Sequence, residues 1–261
     1  MKITEYSISS EKIKGNITIA CVSDLHARPA DKVTKSLRSL SPDLILLAGD
    51  IFEVANKYMS KRNENSFRFI ESIVEIAPVY YCFGNHEIYY SHAIKETDRL
   101  PNTNMQDKLI DKIKGMGVNI VNDCFVSNSI GEDRINIGGI VCGYDKDPRY
   151  DIEINNNALD EYSKAEGFKI LLCHYPHYYE KYLKNTDFDL IVAGHAHGGQ
   201  WRIFDRGVYA PHQGLFPKFT AGIYDGRFII STGAVNNSRP IPRFFNPTEI
   251  LKITVSNNRE A

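Results

Sequence analysis

Five short blocks of this sequence carry Asp, Asn or His: Asp24-Leu25-His26, Gly49-Asp50, Gly84-Asn85-His86-Glu87, His174 and Gly194-His195-Ala196-His197. Two Asp, one Asn and four or five His make a nitrogen and oxygen ligand set without thiolate. Such a set suits a pair of Mn, Fe or Zn ions held for chemistry, not a structural zinc held by Cys. The chemistry it implies is two-metal hydrolysis of phosphate esters. Each block alone has a plainer explanation: Asp after a strand caps or turns, Gly-Asn turns, and a lone His packs. The set reverses that. Five of the eight His lie in these blocks, and Gly precedes a candidate ligand in three of them. Glycine there lets the backbone turn sharply beside an ion.

The elements that must carry these blocks are legible around them. Apolar runs Ile17–Ser23, Leu44–Ala48, Val79–Phe83, Phe168–Cys173 and Asp189–Ala193 read as buried strands, and each delivers a block at its C-terminal end. Helical spacing covers Asp31–Leu40, stopping before Pro42, and Ser66–Ala77; Met105–Met116 and Asn155–Glu166 read as further helices. Short β runs fill Val118–Val141, with a turn near Gly131. Tyr224-Asp225-Gly226-Arg227 signals a hairpin, and Glu249–Val255 closes the chain as a strand. Helices alternate with strands early, and β runs dominate later. That predicts an α/β protein, a four-layer α/β/β/α sandwich of two mixed sheets flanked by helices, as one domain over residues 1–261.

Composition narrows the function class. A net charge of −1 gives no global basic field for nucleic acid, so none is expected as a partner. Five Cys is an odd number, without CxxC spacing. Cys21, Cys82, Cys142 and Cys173 sit in apolar runs and read as buried thiols of a reducing compartment. Met1 to Asn16 alternates polar and apolar residues and reads as neither a signal peptide nor a span. The expected location is cytoplasmic, with peripheral membrane contact as the variant, and the expected state a monomer.

The ordered series Asp-x-His, Gly-Asp, Gly-Asn-His-Glu, His, Gly-His-x-His, from Asp24 to His197, resembles the calcineurin-like metallophosphoesterase superfamily. The continuation Gly198-Gly199-Gln200-Trp201-Arg202, Tyr209-Ala210-Pro211, Gly214 and Arg243-Phe244-Phe245-Asn246-Pro247-Thr248-Glu249-Ile250 is similar to its YaeI/YkuE-type branch of bacterial phosphodiesterases. The resemblance implies the metallo-dependent phosphatase fold and two divalent ions (Mn, Fe or Zn, with Mn favoured). It implies that Asp24, His26 and His197 hold one ion and Asn85, His174 and His195 the other, with Asp50 bridging. It implies a phosphodiesterase working by in-line attack of a bridging hydroxide, with unligated His86 assisting the leaving group. Metals about 3.5–4 Å apart would lower the pKa of a shared water and clamp the attacking and leaving oxygens.

Where purple acid phosphatases carry an iron-binding Tyr, this chain has Glu53, which argues against a ferric tyrosinate site. Ser231-Thr232-Gly233 stands where relatives have Arg, so a phosphate contact is expected to be missing. Glu87 is expected to orient a His or to cap. Arg28 is a candidate phosphate contact, weighed evenly against a solvated loop role. Gln200, Trp201 and Arg202 are candidates for a pocket wall, although a lone Trp is more often core. His92, His177 and His212 match no ligand position, with His177 near enough to line the pocket. Arg239 to Phe245 mixes basic and aromatic residues and is expected as a buried loop, with contact to a membrane surface or nucleic acid as the alternative. The substrate expected is a small or lipid-linked phosphate ester. Two alternatives stand beside the diesterase: a pyrophosphohydrolase of a nucleotide-linked lipid precursor (UDP-diacylglucosamine type), and a non-catalytic scaffold. A nuclease is disfavoured by the balanced charge.

Overall fold

A computed structural model of the protein describes residues 1–53, 63–88, 103–141, 154–235 and 242–257, with backbone alone for 103–107. His92, Cys142 and Arg239-Pro240-Ile241 lie outside the described residues. The chain runs through strands β1 (Lys2–Ser9) and β2 (Asn16–Val22), helix α1 (Asp31–Leu40), β3 (Leu44–Ala48), α2 (Glu64–Val74), β4 (Val79–Cys82), α3 (Thr103–Gly115) and β5 (Val118–Ile120). There follow β6 (Cys124–Ile130), β7 (Asp133–Ile140), α4 (Asn156–Ser163), β8 (Phe168–Cys173) and β9 (Leu190–Ala193). Four two-residue strands come next: β10 (Arg202–Ile203), β11 (Arg206–Gly207), β12 (Tyr209–Ala210) and β13 (Gly214–Leu215). Last are β14 (Gly222–Tyr224), β15 (Phe228–Ile230) and β16 (Glu249–Ser256).

Leu44–Ala48 shows how such a run becomes a central strand. Leu44, Leu46 and Ala48 enter the core between the sheets. Ile45 and Leu47 enter the core beneath the helices. A strand covered on both faces reads as an unbroken apolar run. The first sheet has the order β1-β16-β2-β3-β4-β5 and the second β14-β15-β9-β8-β7-β6. In the first, β2 to β5 are parallel, and β16 runs antiparallel to β2. In the second, β7, β8, β9 and β15 are parallel, with antiparallel edges β6 and β14.

Helices α1, α2 and α3 cover the first sheet with Val33, Leu37, Phe67, Ile70, Ile73, Leu109 and Ile113. Helix α4 and the π-helical turn Tyr179–Leu183 cover the second with Leu159, Tyr162, Tyr179 and Leu183. The result is the four-layer α/β/β/α sandwich of two mixed sheets that the sequence predicts. No helix among the described residues is long and apolar enough to cross a membrane. Cys21, Cys82 and Cys173 are buried free thiols, as expected, and Cys124 is exposed.

The N-terminal segment is strand β1, pairing along its whole length with β16; Thr4, Tyr6 and Ile8 face inward, in keeping with its alternation. One local expectation changes. The C-terminal stretch is not buried at its aromatics, since Phe244 and Phe245 are largely exposed. Trp201 is also partly exposed; its indole N–H donates to the Pro242 carbonyl.

Candidate metal centre

The candidate ligands leave the ends of β2, β3, β4, β8 and β9 within one to three residues, apart from His26 and His197, which lie four residues on. The chain turns there through left-handed backbone: φ is 55° at Asp24, 48° at His26, 55° at Asp50, 66° at His195 and 46° at His197. Such values are uncommon outside glycine and gather at functional sites held by their surroundings. Close approach also demands glycine beside the ligands. A Cβ on Gly49 would lie 2.4 Å from His174 Nδ1, and one on Gly84 2.3 Å from Asp50 Oδ1.

These turns bring together Asp24, His26 and His197 in one group and Asp50, His174 and His195 in another. Within each group one potential ligand atom per residue lies within 4.8 Å of the others. Asp50 Oδ2 joins the groups, 3.1 Å from His174 Nε2 and 4.0 Å from His26 Nε2. Asp24 Oδ1 lies 3.5 Å from His197 Nε2 and 4.0 Å from His174 Nε2. His26 Nε2 and His197 Nε2 are 3.3 Å apart.

The donor atoms fit cations. His195 Nε2 and Asn85 Oδ1 are buried without a hydrogen-bond partner, a condition rare for buried polar atoms. His174 Nδ1 lies 2.7 Å from the Ala48 carbonyl. Donating there fixes the ring and leaves Nε2 toward Asp50. Burial holds His195 well below the usual imidazole range, helped by the neighbouring His174 charge. Burial also lowers His197 to about 3, against the pull of Asp24. Both rings are therefore neutral, the form that ligates a metal. At His174 burial works downward, but Asp50 outweighs it and pushes the ring up to about 10. Its Nε2 proton stands where positive charge is wanted.

His86 differs from the other rings. Its side chain is 24% exposed, while those of His26 and His174 are sealed. Its Nδ1 lies 2.9 Å from Glu53 Oε1 and its Nε2 3.9 Å from Asp50 Oδ2. Burial lowers its pKa, but Asp50 and then Glu53 overcome this and raise it to about 9. Burial opposes ionisation of Glu53 too, but the His26 and His86 rings hold its carboxyl far below the usual range.

Residues 17–199 match the family model described as calcineurin-like phosphoesterase. The chain belongs to that family. It is 27% identical to YpbG of Bacillus subtilis over 92% of this chain and 82% of that protein. It is 26% identical to an uncharacterized metallophosphoesterase, Cj0846, of Campylobacter jejuni over 99% of this chain and 64% of the relative. It is 26% identical to the phosphodiesterase YaeI of Escherichia coli over 62% of this chain and 51% of the relative. Membership makes this protein a metal-dependent phosphoester hydrolase, and its His/Asp groups are the candidate binding sites.

Several residues of this phosphoesterase carry roles that sequence reading missed. Glu53 served there only to argue against a tyrosinate, yet it is buried and touches both His86 and His26, its Oε2 3.4 Å from His26 Nδ1. The available signal was a carboxylate three residues after Asp50, behind apolar Ile51 and Phe52. Of the two roles expected for Glu87, orienting a His or capping, the capping one is seen, since it reaches back to the Gly84 amide ahead of the helical turn 85–88. Its carboxylate accepts from the amides of Asp50 (3.0 Å), Phe52 (2.9 Å) and Gly84 (2.8 Å) and from the Tyr81 hydroxyl (2.7 Å), so it binds two ligand loops together.

Arg243 brings a positive charge from the far end of the chain. Its Nη2 lies 3.2 Å from His197 Nδ1 and donates to the Val235 carbonyl at 2.8 Å. Its Nε and Nη1 are buried without a hydrogen-bond partner. Ser231-Thr232-Gly233, where relatives were expected to have Arg, lies against the centre: a Cβ on Gly233 would meet Asp24 Cβ at 2.9 Å, while Arg243 Nη2 stays at an ordinary contact distance of 3.4 Å.

Arg28 is half-buried just past His26. Among the described residues no hydrogen bond joins its guanidinium to the ligand groups. Gln200 is buried, and its amide donates to the Pro242 carbonyl at 3.4 Å, tying the loop after His197 to the C-terminal segment. His177 and His212 stack on each other with ring centroids 5.3 Å apart, and His212 lies 5.2 Å from His195. They wall the Asp50–His174–His195 side of the centre.

Proposed function

We propose that this phosphoesterase hydrolyses phosphodiester bonds at a dinuclear centre. Asp24, His26 and His197 hold one divalent ion, Asn85, His174 and His195 hold the other, and Asp50 bridges them. The observation that carries this reading is the position of Asp50 Oδ2 between the two groups, beside buried donor atoms that lack partners. Manganese is the ion the resemblance favours and the Asp and Asn oxygens suit it, while the four imidazoles suit Fe and Zn. When bound, the two ions supply Lewis acidity and a water of lowered pKa.

The chain's own residues do the rest. His86 is the ring open to an incoming ester, and Glu53 keeps its proton in place and its ring oriented. His86 donates that proton to the departing alkoxide, and its raised pKa of about 9 keeps the ring protonated for the step at neutral pH. Arg243 adds positive charge beside His197 and favours an anionic ester over a neutral one. The ligand shell contains a neutral amide, Asn85, in place of a third carboxylate, which preserves the site's attraction for anions.

The test combines elemental analysis with a panel of mono-, di- and pyrophosphate esters. The expected result is two equivalents of metal and fastest turnover of a diester, abolished by Asp50→Asn. Metal-loaded protein that turns over none of the panel would overturn the reading in favour of a binding scaffold.

A further inference from the structure

The part of the chain after His197 carries the most exposed apolar side chains of the described residues, and they do not belong to the proposed chemistry. Phe204 is 94% exposed, Phe245 89% and Phe216 69%. All three sit in left-handed backbone, with φ of 54°, 52° and 50°, a costly conformation for a bulky residue. Phe204 lies at the tip of the β10–β11 hairpin. Phe216 follows the β12–β13 hairpin, its amide bonded to the Val208 carbonyl. Phe245 lies on the C-terminal loop, which is joined to β10 by the Trp201–Phe244 bridge.

The three tips form one assembly. The Arg202 amide donates to the Phe244 carbonyl, and Val208 donates to both Gly199 and Trp201. Alternation confirms the outward face: Tyr209 and Leu215 are register partners and exposed, while neighbouring Ala210 is fully buried. The assembly also meets the metal centre. Asn246 donates to the His197 carbonyl at 2.7 Å and Arg202 to the Gly198 carbonyl at 3.0 Å.

We propose that this ridge is a docking surface for a lipid bilayer bearing anionic headgroups. Exposed apolar side chains gathered on one hydrogen-bonded assembly mark an interaction site. Separate projecting tips suit a fluid apolar phase, which accepts side chains without shaped pockets; a protein partner would need a matching hollow for each. The flanking charge agrees. Residues 201–219 contain Arg202, Arg206 and Lys218 against Asp205 alone, in a chain of net charge −1. Arg206 and Lys218 are exposed, although Lys218 also pairs with Glu180. Buried apolar tips and nearby cations add in peripheral membrane binding. Docking through the ridge holds the His197 side of the metal centre against the headgroup layer.

The test adds large vesicles of phosphatidylcholine, with and without about one-third phosphatidylglycerol, to the full chain and to a Phe204→Ser/Phe216→Ser/Phe245→Ser variant. The single Trp201, 38% exposed on the ridge, reports docking by a blue shift of its emission. The expected result is co-sedimentation with the anionic vesicles, a blue shift, and at least a ~10-fold weaker partition for the variant, with unchanged turnover of a soluble diester. Equal partition of both proteins, or none by either, overturns the proposal. So does sedimentation velocity showing a wild-type dimer that the variant dissolves, which would make the ridge an interface between copies. Vesicle binding by a protein without diesterase activity supports docking and counts only against the proposed chemistry.

Discussion

At the scale of single residues, the proposed roles of Asp50 and His86 are separable, one in metal binding and the other in proton transfer. Asp50→Asn removes the bridging charge, so metal content should drop together with activity, as elemental analysis of the purified variant will show. His86→Ala should keep both metals and lose roughly 10²–10⁴-fold in kcat. Loss of metal in parallel with activity would show instead that His86 is a ligand. Glu53→Gln isolates the pairing of Glu53 with His86. The neighbouring carboxylates raise the His86 pKa, and the acid must be protonated to act. Activity therefore falls as pH rises through that pKa. Removing the Glu53 charge lowers the pKa, so the alkaline limb of the kcat profile should move to lower pH in the variant. An unmoved limb would assign it to another group.

At the scale of elements, the centre is made of strand ends whose next residues bend back through left-handed turns. The turns are held from behind. Glu87 is the strongest tie, since one buried carboxylate serves three amides and a hydroxyl. Burial raises its pKa, and the Asp50 charge adds to this. Glu87→Gln keeps the size but turns one acceptor into a donor facing those N–H groups. It should cost about 1–3 kcal/mol of stability, measurable by denaturant unfolding. Gly84→Ala acts on the same loops by contact: the new Cβ would meet Asp50 Oδ1 and, at 2.7 Å, the Asp50 amide nitrogen. The bridging carboxylate must move, and metal affinity should fall about 10–100-fold in a titration at fixed free metal.

At the scale of the whole molecule, the two ligand groups join the two sheets. Asp24, His26, Asp50 and Asn85 follow strands of the first sheet, and His174, His195 and His197 follow strands of the second. Metal bound between them ties the halves of the sandwich in the folded state only. At free metal a hundred times Kd this contributes about 2.7 kcal/mol. Chelation should therefore lower Tm by several degrees in a chain of this size, and added Mn should restore it. A melting curve indifferent to chelator would contradict a shared site.

The sequence by itself determined the candidate ligand types and the strands that deliver them. Each of these is local: a buried strand writes an unbroken apolar run, and a ligand at its end is fixed by covalent spacing. Tertiary structure alone decided that Asp50 lies between both groups. It decided that Glu53 partners His86, that Glu87 ties two loops, and that Arg243 returns to His197 from the far end of the chain. It also decided that Phe204, Phe216 and Phe245 face outward, though their apolar composition suits a core. These contacts join residues far apart along the chain (Asp50 to His174, Arg243 to His197) or depend on turns in left-handed backbone. Neither hydrophobic period nor local spacing records them, because their energy comes from atoms that meet only after the sheets have packed.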